Sequence, residues 1–581
     1  MCGFAGILSL NSGKNVPEQY ISEVHKAVVA IRHRGSDDCH VVEHPRFVLG
    51  HVRLSIVGLG LEGRQPVVDS DSSALVFNGE IYNYKELATR YGVAGGSSAT
   101  SDTQVLFALL NIHGESIVSE LDGMFAFVYR HRDGQIILAR DRFGIKPLFY
   151  SVRNGMLLVA SEARALPSVA LQPNPKALAD YVRTGFYPTG GNATFFVDVK
   201  QVDAGTVICY FPNAIESVET TYVTDMDLGF PPRPVGELET LLRGICEKIS
   251  VSDVPICFSL SGGIDSTLGL ATFANWSRRG HEEIHAITST PFSSEFSEVH
   301  VATATAAKFG VRLHVCTPPI IATESEALVQ LQRLTNVLEA PVRSPGVFMQ
   351  ESVYQHAHQL GFKVIIDGEG SDDLMAAYYG NLPSTLLQMS RESGIATAYR
   401  EARQLAARSG LRLPRLLAKT LWLALQKRTS LGGPAVGWSA RVSEINDLVG
   451  RSSLPTLVHW GDRLSMRYSV EARPFYLFQE FRDWSNGLPT TAALHNGYNK
   501  WPLREMLAQQ HDLSALAFNT RKFGYSTTFD IFSGLAVRVS EEKSWKTFLD
   551  EAFPSLSAND AARTSFRALG AYIFLQAYGA H

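Results

Sequence analysis

The chain has 581 residues, too many for one hydrophobic core, so two or more domains are expected; 45% hydrophobic and 19% charged residues is an ordinary globular balance. A net charge of -4 argues against nonspecific nucleic-acid binding, and with no apolar run of membrane-spanning length and no signal-peptide pattern, no membrane partner is expected. Cys2, Cys39, Cys209, Cys246, Cys257 and Cys316 form no CxxC, which suggests neither a zinc site nor a disulfide framework and fits a reducing cytoplasm.

The chain begins Met1-Cys2-Gly3. Removal of the initiator methionine makes Cys2 the N-terminal residue, placing a thiol and a free α-amine together. An α-amine with a pKa near ~8 is partly neutral at pH 7 and can serve as base to the thiol. The first ~200 residues alternate like strands at 47–51, 73–77 and 135–139, interrupted by helical patterns over Tyr20–Ile31 and Thr103–His113. Asn78-Gly79 alone fits a type I′ hairpin turn.

A linker is expected over Thr220–Pro234, followed by a helix over Val235–Ile249. The run Val254–Thr267 reads as a buried strand, a Ser/Gly loop, then a helix start. Backbone N–H groups in such a loop, with the helix N-terminus, bind phosphate oxygens. The P-loop pattern is absent. Strands at Ile284–Thr288, Leu313–Val315 and Lys363–Ile366, with a helix over Val299–Phe309, give a βαβ rhythm and a parallel sheet. The last strand runs into Asp367-Gly368-Glu369-Gly370-Ser371-Asp372-Asp373, a carboxylate cluster suited to a metal or charged substrate.

These motifs carry a resemblance. Met1-Cys2-Gly3, Arg32-His33-Arg34-Gly35, Arg53-Leu54-Ser55, Asn78-Gly79-Glu80-Ile81-Tyr82-Asn83, Ser101-Asp102 and Asp141-Arg142-Phe143-Gly144, in that order, resemble the glutaminase domain of class II glutamine amidotransferases. Ser261-Gly262-Gly263-Ile264-Asp265-Ser266 resembles the loop of ATP pyrophosphatases. With Gly368–Asp372, Asp462–Met466, Ser469–Arg473, Lys500 and Arg521–Tyr525, the second half resembles glutamine-hydrolysing (type B) asparagine synthetases.

The resemblance implies an α/β multidomain chain. An N-terminal-nucleophile (Ntn) hydrolase αββα sandwich over 2–215 would precede a doubly wound, parallel-sheet ATP-pyrophosphatase domain over 235–581. It implies Cys2 as nucleophile, with Asn78 and Gly79 as oxyanion donors. Arg53 would take the glutamine carboxylate, and Glu80 and Asp102 its ammonium. Leu260, Ser261, Gly262, Gly263, Asp265, Ser266, Thr288 and Gly368 would bind ATP. Asp265 and Asp372 would hold Mg²⁺, Lys500 would stabilise phosphate charge, and Glu369 would act as base or orient ammonia. Arg34, Asp141 and Arg142 read as structural or interdomain charges.

The implied chemistry uses glutamine, ATP and a carboxylate acceptor in the cytoplasm, in a chain that could form a homodimer. Ammonia would pass through an internal tunnel to an acyl-adenylate, most simply that of aspartate. The pattern breaks at Asp373, Ala376-Ala377-Tyr378 and Pro474-Phe475-Tyr476-Leu477-Phe478, near the expected acyl-substrate region, which leaves a non-aspartate acceptor as the alternative. A β-lactam or lasso-type cyclase is disfavoured because such relatives lose the glutaminase cysteine, and β-lactam synthetases carry tyrosine where Glu369 stands. A degenerate sensor is disfavoured by two intact sets of catalytic residues.

Overall fold

The computed structural model of the chain describes residues 2–11, 13–93, 95–212, 218–221, 235–277, 283–290, 298–378, 380–430, 453–509, 511–519, 534–535 and 565–579. Nearly all of the expected linker and the Arg521–Tyr525 motif lie outside the described residues.

Two six-stranded sheets build the N-terminal part. The first contains β1 (Gly3–Ser9), β2 (Asp38–His44), β3 (Phe47–Arg53), β8 (Phe149–Arg153), β9 (Met156–Ala160) and β10 (Lys200–Gln201), in the order β10-β8-β9-β1-β3-β2. The second contains β4 (Val67–Val68), β5 (Ala74–Ile81), β6 (Gly123–Arg130), β7 (Ile136–Arg140), β11 (Thr206–Tyr210) and β12 (Val218–Thr221), ordered β12-β11-β7-β6-β5-β4.

Strict alternation sorts their side chains into layers. Phe4 and Leu8 of β1 meet Ala74 and Val76 of β5 in the seam between the sheets. Ala5 and Ile7 face the other way, onto Val24 and Val28 of α1 (Gln19–Ala30). Leu75 and Phe77 pack on α2 (Tyr84–Tyr91) and α3 (Asp102–His113). The result is an αββα sandwich of the Ntn-hydrolase type.

The C-terminal part centres on a parallel sheet ordered β15-β14-β13-β16-β17. Its strands are β13 (Ile256–Ser259), β14 (His285–Ser289), β15 (Arg312–Cys316), β16 (Val364–Asp367) and β17 (Glu471–Pro474). From β13 the chain winds outward to β15, then returns to lay β16 on the other side of β13. Adjacent strands departing in opposite directions leave a crevice at their C-terminal ends, the usual ligand position in doubly wound sheets. The helix Ile264–Ser277 follows β13 after a short loop. The predicted strands and helices fall on observed elements, most with ends shifted by one or two residues, but the strand expected at 73–77 runs on to Ile81 and the helix expected from Val235 starts at Leu238, after a 3-10 turn over Val235–Glu237.

Among the described residues, apolar clusters run through both parts. Ala5 and Val28 share one with Val353 and Trp460, and Met124 and Ile145 share another with Phe258 and Phe475. Along this seam several charged side chains are fully buried, among them Arg34, Glu162, Asp462, Arg463 and Arg473.

Candidate active sites

The first site lies where β1 and β5 face each other across the sandwich. Alternation puts Cys2 on the Phe4 face of β1, and Asn78 and Glu80 on the Val76 face of β5. The Cys2 backbone N donates to Asn78 Oδ1 at 3.2 Å. The Asn78 side chain is fully buried, and its Nδ2 has no hydrogen-bond partner among the described residues. A buried amide donor without a partner is costly in a folded protein, unless a ligand oxygen takes its hydrogens.

Asn78-Gly79 is not a hairpin turn. It sits inside β5, with Asn78 opposite Ala126 and Gly79 opposite Phe125 of β6. Gly79 has φ +145°, and a Cβ there would lie 1.9 Å from the Met124 carbonyl oxygen. Glycine is required here by the close approach of two strands.

Arg53, the last residue of β3, is buried; its Nη1 donates to the Gly60 carbonyl at 2.7 Å and its Nη2 to that of Gly58. A Cβ on Gly63 would sit 2.0 Å from Nη2, so that glycine leaves room for the fork. Asp102 opens α3; its Oδ2 accepts from Ile81 N at 3.1 Å and its Oδ1 from Thr103 N at 2.7 Å. Burial lifts its pKa to about 6 in spite of these donors. Burial, then the Asp102 and Glu471 charges, push the Glu80 carboxyl well above its usual range, against the pull of Arg473. Burial also raises the Cys2 thiol pKa; the Leu54 backbone and Arg53 work to lower it, and Glu80 to raise it.

Arg473 was not foreseen at this site. It belongs to β17, is fully buried, and places Nη2 3.8 Å from Glu80 Oε1. Its Nη1 donates to the carbonyls of Ile249 at 2.8 Å and Val251 at 2.7 Å, and its Nε to Glu471 at 2.6 Å. Arg34 bridges the two parts, as detailed below. Asp141 ties its own turn, accepting from the backbone N of Phe125, Phe143, Ile145 and Lys146. Arg142 Nη2 donates to the Ser119 carbonyl at 2.7 Å.

The second site is a cavity of about 440 Å³ at the β13–β16 crevice. Leu260, Ser261, Gly262, Gly263, Asp265, Ser266, Thr288, Gly368, Glu369, Asp372 and Lys500 all line it. The loop after β13 is braced internally: Ser266 Oγ receives Ser261 N at 3.2 Å, and Ser261 Oγ receives Gly263 N at 3.2 Å. A Cβ on Gly368 would come within 2.8 Å of Ser266 N, so this glycine lets the two loops meet. Lys500, at φ +52°, donates from Nζ to Asp265 Oδ2 at 2.8 Å and to Ser371 Oγ at 2.9 Å, and lies 2.6 Å from Asp372 Oδ1. A non-glycine residue in the left-handed region carries backbone strain of the kind that clusters at functional sites.

Asp265 and Asp372 thus converge on one ammonium group. Two convergent carboxylates suit Mg²⁺, which takes one or two of them and completes its shell with phosphate oxygens and water. No cluster of three or more metal-binding side chains occurs among the described residues.

The segments that break the family pattern separate in space. Ala377 and Tyr378 line the cavity. Tyr476 does not: fully buried, it donates from its hydroxyl to the Asp265 carbonyl at 2.9 Å, bracing the loop from behind. Asp373 is not a solvated turn residue; it is buried and accepts from Ser453 and Tyr378, and burial lifts its pKa to about 6. Gln350, Tyr354 and Leu457 also line the cavity and carry no local sequence signal.

An Ntn-type sandwich with a cysteine at its seam is joined to a parallel sheet with a braced Ser-Gly-Gly loop, and each of these two parts matches a known family. Residues 1–223 match the family described as glutamine amidotransferase domain, and residues 237–543 that described as asparagine synthase. The second match spans more than half of the chain, and the chain belongs to the asparagine synthase family. It is similar to amidase chyE of Penicillium rubens, with 31% identity over 417 residues, covering 65% of this chain and 59% of the relative. It is 29% identical over 392 residues to asparagine synthetase [glutamine-hydrolyzing] 1 of Bacillus subtilis, at 65% and 59% coverage. Amidase chry2 of Gibberella zeae is 29% identical over 421 residues, again at 65% and 59%. The chain therefore spans about three fifths of the length of these relatives.

Proposed function

We propose that the chain is a glutamine-dependent, ATP-consuming carbon–nitrogen ligase, with a glutaminase unit over 2–215 and a synthetase unit over 235–581. The observation that carries this reading is the cavity at the β13–β16 crevice, where Lys500 joins Asp265 and Asp372 beside the Ser-Gly-Gly loop.

In the glutaminase unit, removal of Met1 frees the Cys2 amine, which takes the thiol proton. The thiolate attacks the glutamine amide carbon, and the oxyanion is met by Asn78 Nδ2 and the Gly79 N–H. The Cys2 ammonium then gives its proton to the amide nitrogen, ammonia leaves, and water, its proton taken by the freed amine, cleaves the thioester to glutamate and restores the thiol. Arg53 binds the substrate carboxylate; Glu80 and Asp102 bind its ammonium.

In the synthetase unit, the acceptor carboxylate attacks the α-phosphorus of ATP, and pyrophosphate leaves. Leu260, Ser261, Gly262, Gly263, Ser266, Thr288 and Gly368 hold the nucleotide, and Lys500 neutralises the departing phosphates. Asp265 and Asp372 would hold Mg²⁺, which supplies further charge neutralisation when bound. Ammonia then attacks the acyl-adenylate, AMP leaves, and Glu369 orients the amine or takes its proton.

The acceptor is read first as aspartate, giving asparagine. A second reading, a different carboxylic acid, is favoured by Ala377 and Tyr378 on the cavity wall where the pattern breaks, and by an amidase as similar as the asparagine synthetases. The test is glutamine- and ATP-dependent pyrophosphate release across a panel of carboxylates, with the product mass recorded. An asparagine mass supports the first reading, turnover of another acid alone supports the second, and silence throughout refutes both.

A further inference from the structure

The glutaminase nucleophile is held from the other half of the chain. Arg34 is fully buried and has three partners. Its Nε donates to the Cys2 carbonyl at 3.2 Å. Its Nη1 and Nη2 form a fork on Asp462, at 2.9 Å each, and Nη1 also donates to Glu162 at 3.0 Å. The Arg34 and Asp462 side chains are 0% and 2% exposed, so the pair is neither screened nor free to wander. Burial opposes the Asp462 charge, but the Arg34 guanidinium overrides it and keeps the carboxyl below its usual range. The path to Cys2 is shaped for this arginine: a Cβ on Gly3 would come 2.9 Å from Arg34 Cδ. Ser469, just beyond the helix that carries Asp462, donates to the His33 carbonyl at 2.7 Å and holds the same turn.

That helix, Ser453–Met466, also reaches the synthetase cavity. Its first residue, Ser453, donates to Asp373, the neighbour of Asp372, and Leu457 lines the cavity itself. Asp462 lies about 13 Å further along the axis, at 1.5 Å per residue. One helix thus has its start on the carboxylate turn of one site and its later turns on the nucleophile of the other.

We propose that Asp462 is a positioning residue for Cys2, acting through Arg34, and that its helix links the Cys2 orientation to the state of the synthetase cavity. The inference rests on the amidotransferase reading given above. A nucleophile displaced by about 1 Å loses on the order of 100-fold in rate, whereas substrate contacts made by other residues are unaffected.

The test uses the full chain with Met1 removed, in three readouts: glutamine hydrolysis, Cys2 alkylation by 6-diazo-5-oxo-L-norleucine, and pyrophosphate release driven by ammonium chloride. In Asp462→Asn, hydrolysis kcat and the alkylation rate should each fall about 10- to 100-fold. The glutamine KM and ammonium-driven release should stay within about threefold, since neither uses the Cys2 orientation. An unpaired Arg34 could unfold the protein, so the double variant Arg34→Met with Asp462→Leu replaces the ion pair by apolar groups, a change often neutral for stability. A folded double variant with slow alkylation supports positioning; wild-type alkylation in it means the pair is only structural and overturns the proposal.

For the link, ATP with Mg²⁺ should change the alkylation rate of the wild type, and Ser453→Ala should abolish that change at an unaltered basal rate. Equal wild-type rates with and without ATP overturn the link. A wild type inert to both glutamine and the diazo compound defeats the functional reading itself. Normal wild-type turnover beside an unimpaired Asp462→Asn defeats the inference alone.

Discussion

Glutamine binding should weaken in acid, with a midpoint set by Asp102. This carboxyl is buried, and burial brings its pKa to about 6. In its proposed role only the ionised form pairs with the glutamine ammonium. With a pKa of about 6, roughly a tenth of the sites are ionised at pH 5 and nearly all at pH 7.5. The glutamine KM should therefore rise about tenfold between those pH values, equivalent to ~1.4 kcal/mol. Glu80, also raised, can only steepen the change. Stability without glutamine should run the opposite way. A folded pKa above the unfolded value of about 3.9 means the group favours folding below pH ~4, and that contribution fades as pH climbs through ~6. The difference of about two pH units corresponds to roughly 3 kcal/mol, recovered at neutral pH when glutamine supplies the counter-charge. The assay is glutaminase KM from pH 5 to 8 for the wild type and Asp102→Asn, alongside thermal unfolding with and without glutamine. A KM that climbs in acid equally in both proteins would refute the assignment of the ammonium site to Asp102.

Three further perturbations separate the two sites. Asn78→Ala removes the unpartnered Nδ2 and should cut glutaminase kcat by about 10²–10³, while ammonium-driven pyrophosphate release persists; parallel loss of both activities would point to misfolding instead. Lys500→Met leaves Asp265 and Asp372 facing each other and should abolish pyrophosphate release while glutamine hydrolysis continues, so retention of ATP turnover would exclude its phosphate role. Tyr476→Phe deletes the hydroxyl that braces the Asp265 carbonyl and should cost ~0.5–1.5 kcal/mol in unfolding free energy, with a rise of a few-fold in the ATP KM; a changed acceptor preference would instead return Tyr476 to the acyl-substrate region.

What could be read from the sequence depended on how local each signal was. The Ser261–Ser266 loop was legible as a loop on a cavity wall because its signal, of the kind that binds phosphate, is contained in a strand, a turn and a helix start. Asp265, Asp372 and Lys500 were each visible within short motifs, but their meeting at one ammonium was not, since the loops that meet are joined only through the sheet order. Asn78-Gly79 shows a local signal with two physical readings. Its composition fits a two-residue turn, and only the pairing of β5 with β6 shows that glycine serves strand approach instead. Tyr476 was misplaced for a related reason: proximity in sequence to a divergent motif does not say which side of β17 faces the cavity. Arg473 and Asp462 lay in recognisable motifs, yet their partners Glu80 and Arg34 are hundreds of residues away, and side-chain type alone cannot name them.

Those long-range contacts bear on how the two chemistries stay in step. Ammonia released without an adenylate to receive it is wasted, so a coupled enzyme benefits if glutamine cleavage depends on the other half of the chain. Among the buried arginines that cross the seam, two run in opposite senses: Arg34 leaves the sandwich to find Asp462, and Arg473 leaves β17 to approach Glu80. The first grips the main chain of Cys2, the proposed nucleophile, and the second faces Glu80, one of the carboxylates proposed for the ammonium. Neither is exposed enough to be remade by solvent. A buried ion pair of this kind contributes little to stability against an apolar replacement, but it fixes geometry, because losing either partner strands a charge. Double-mutant cycles between Arg473 and Glu80, read in glutamine KM, and between Arg34 and Asp462, read in kcat, would separate substrate binding from nucleophile placement. Coupling energy in KM for the first pair and in kcat for the second is the pattern this geometry requires; the reverse would mean that the seam holds the halves together without instructing either site.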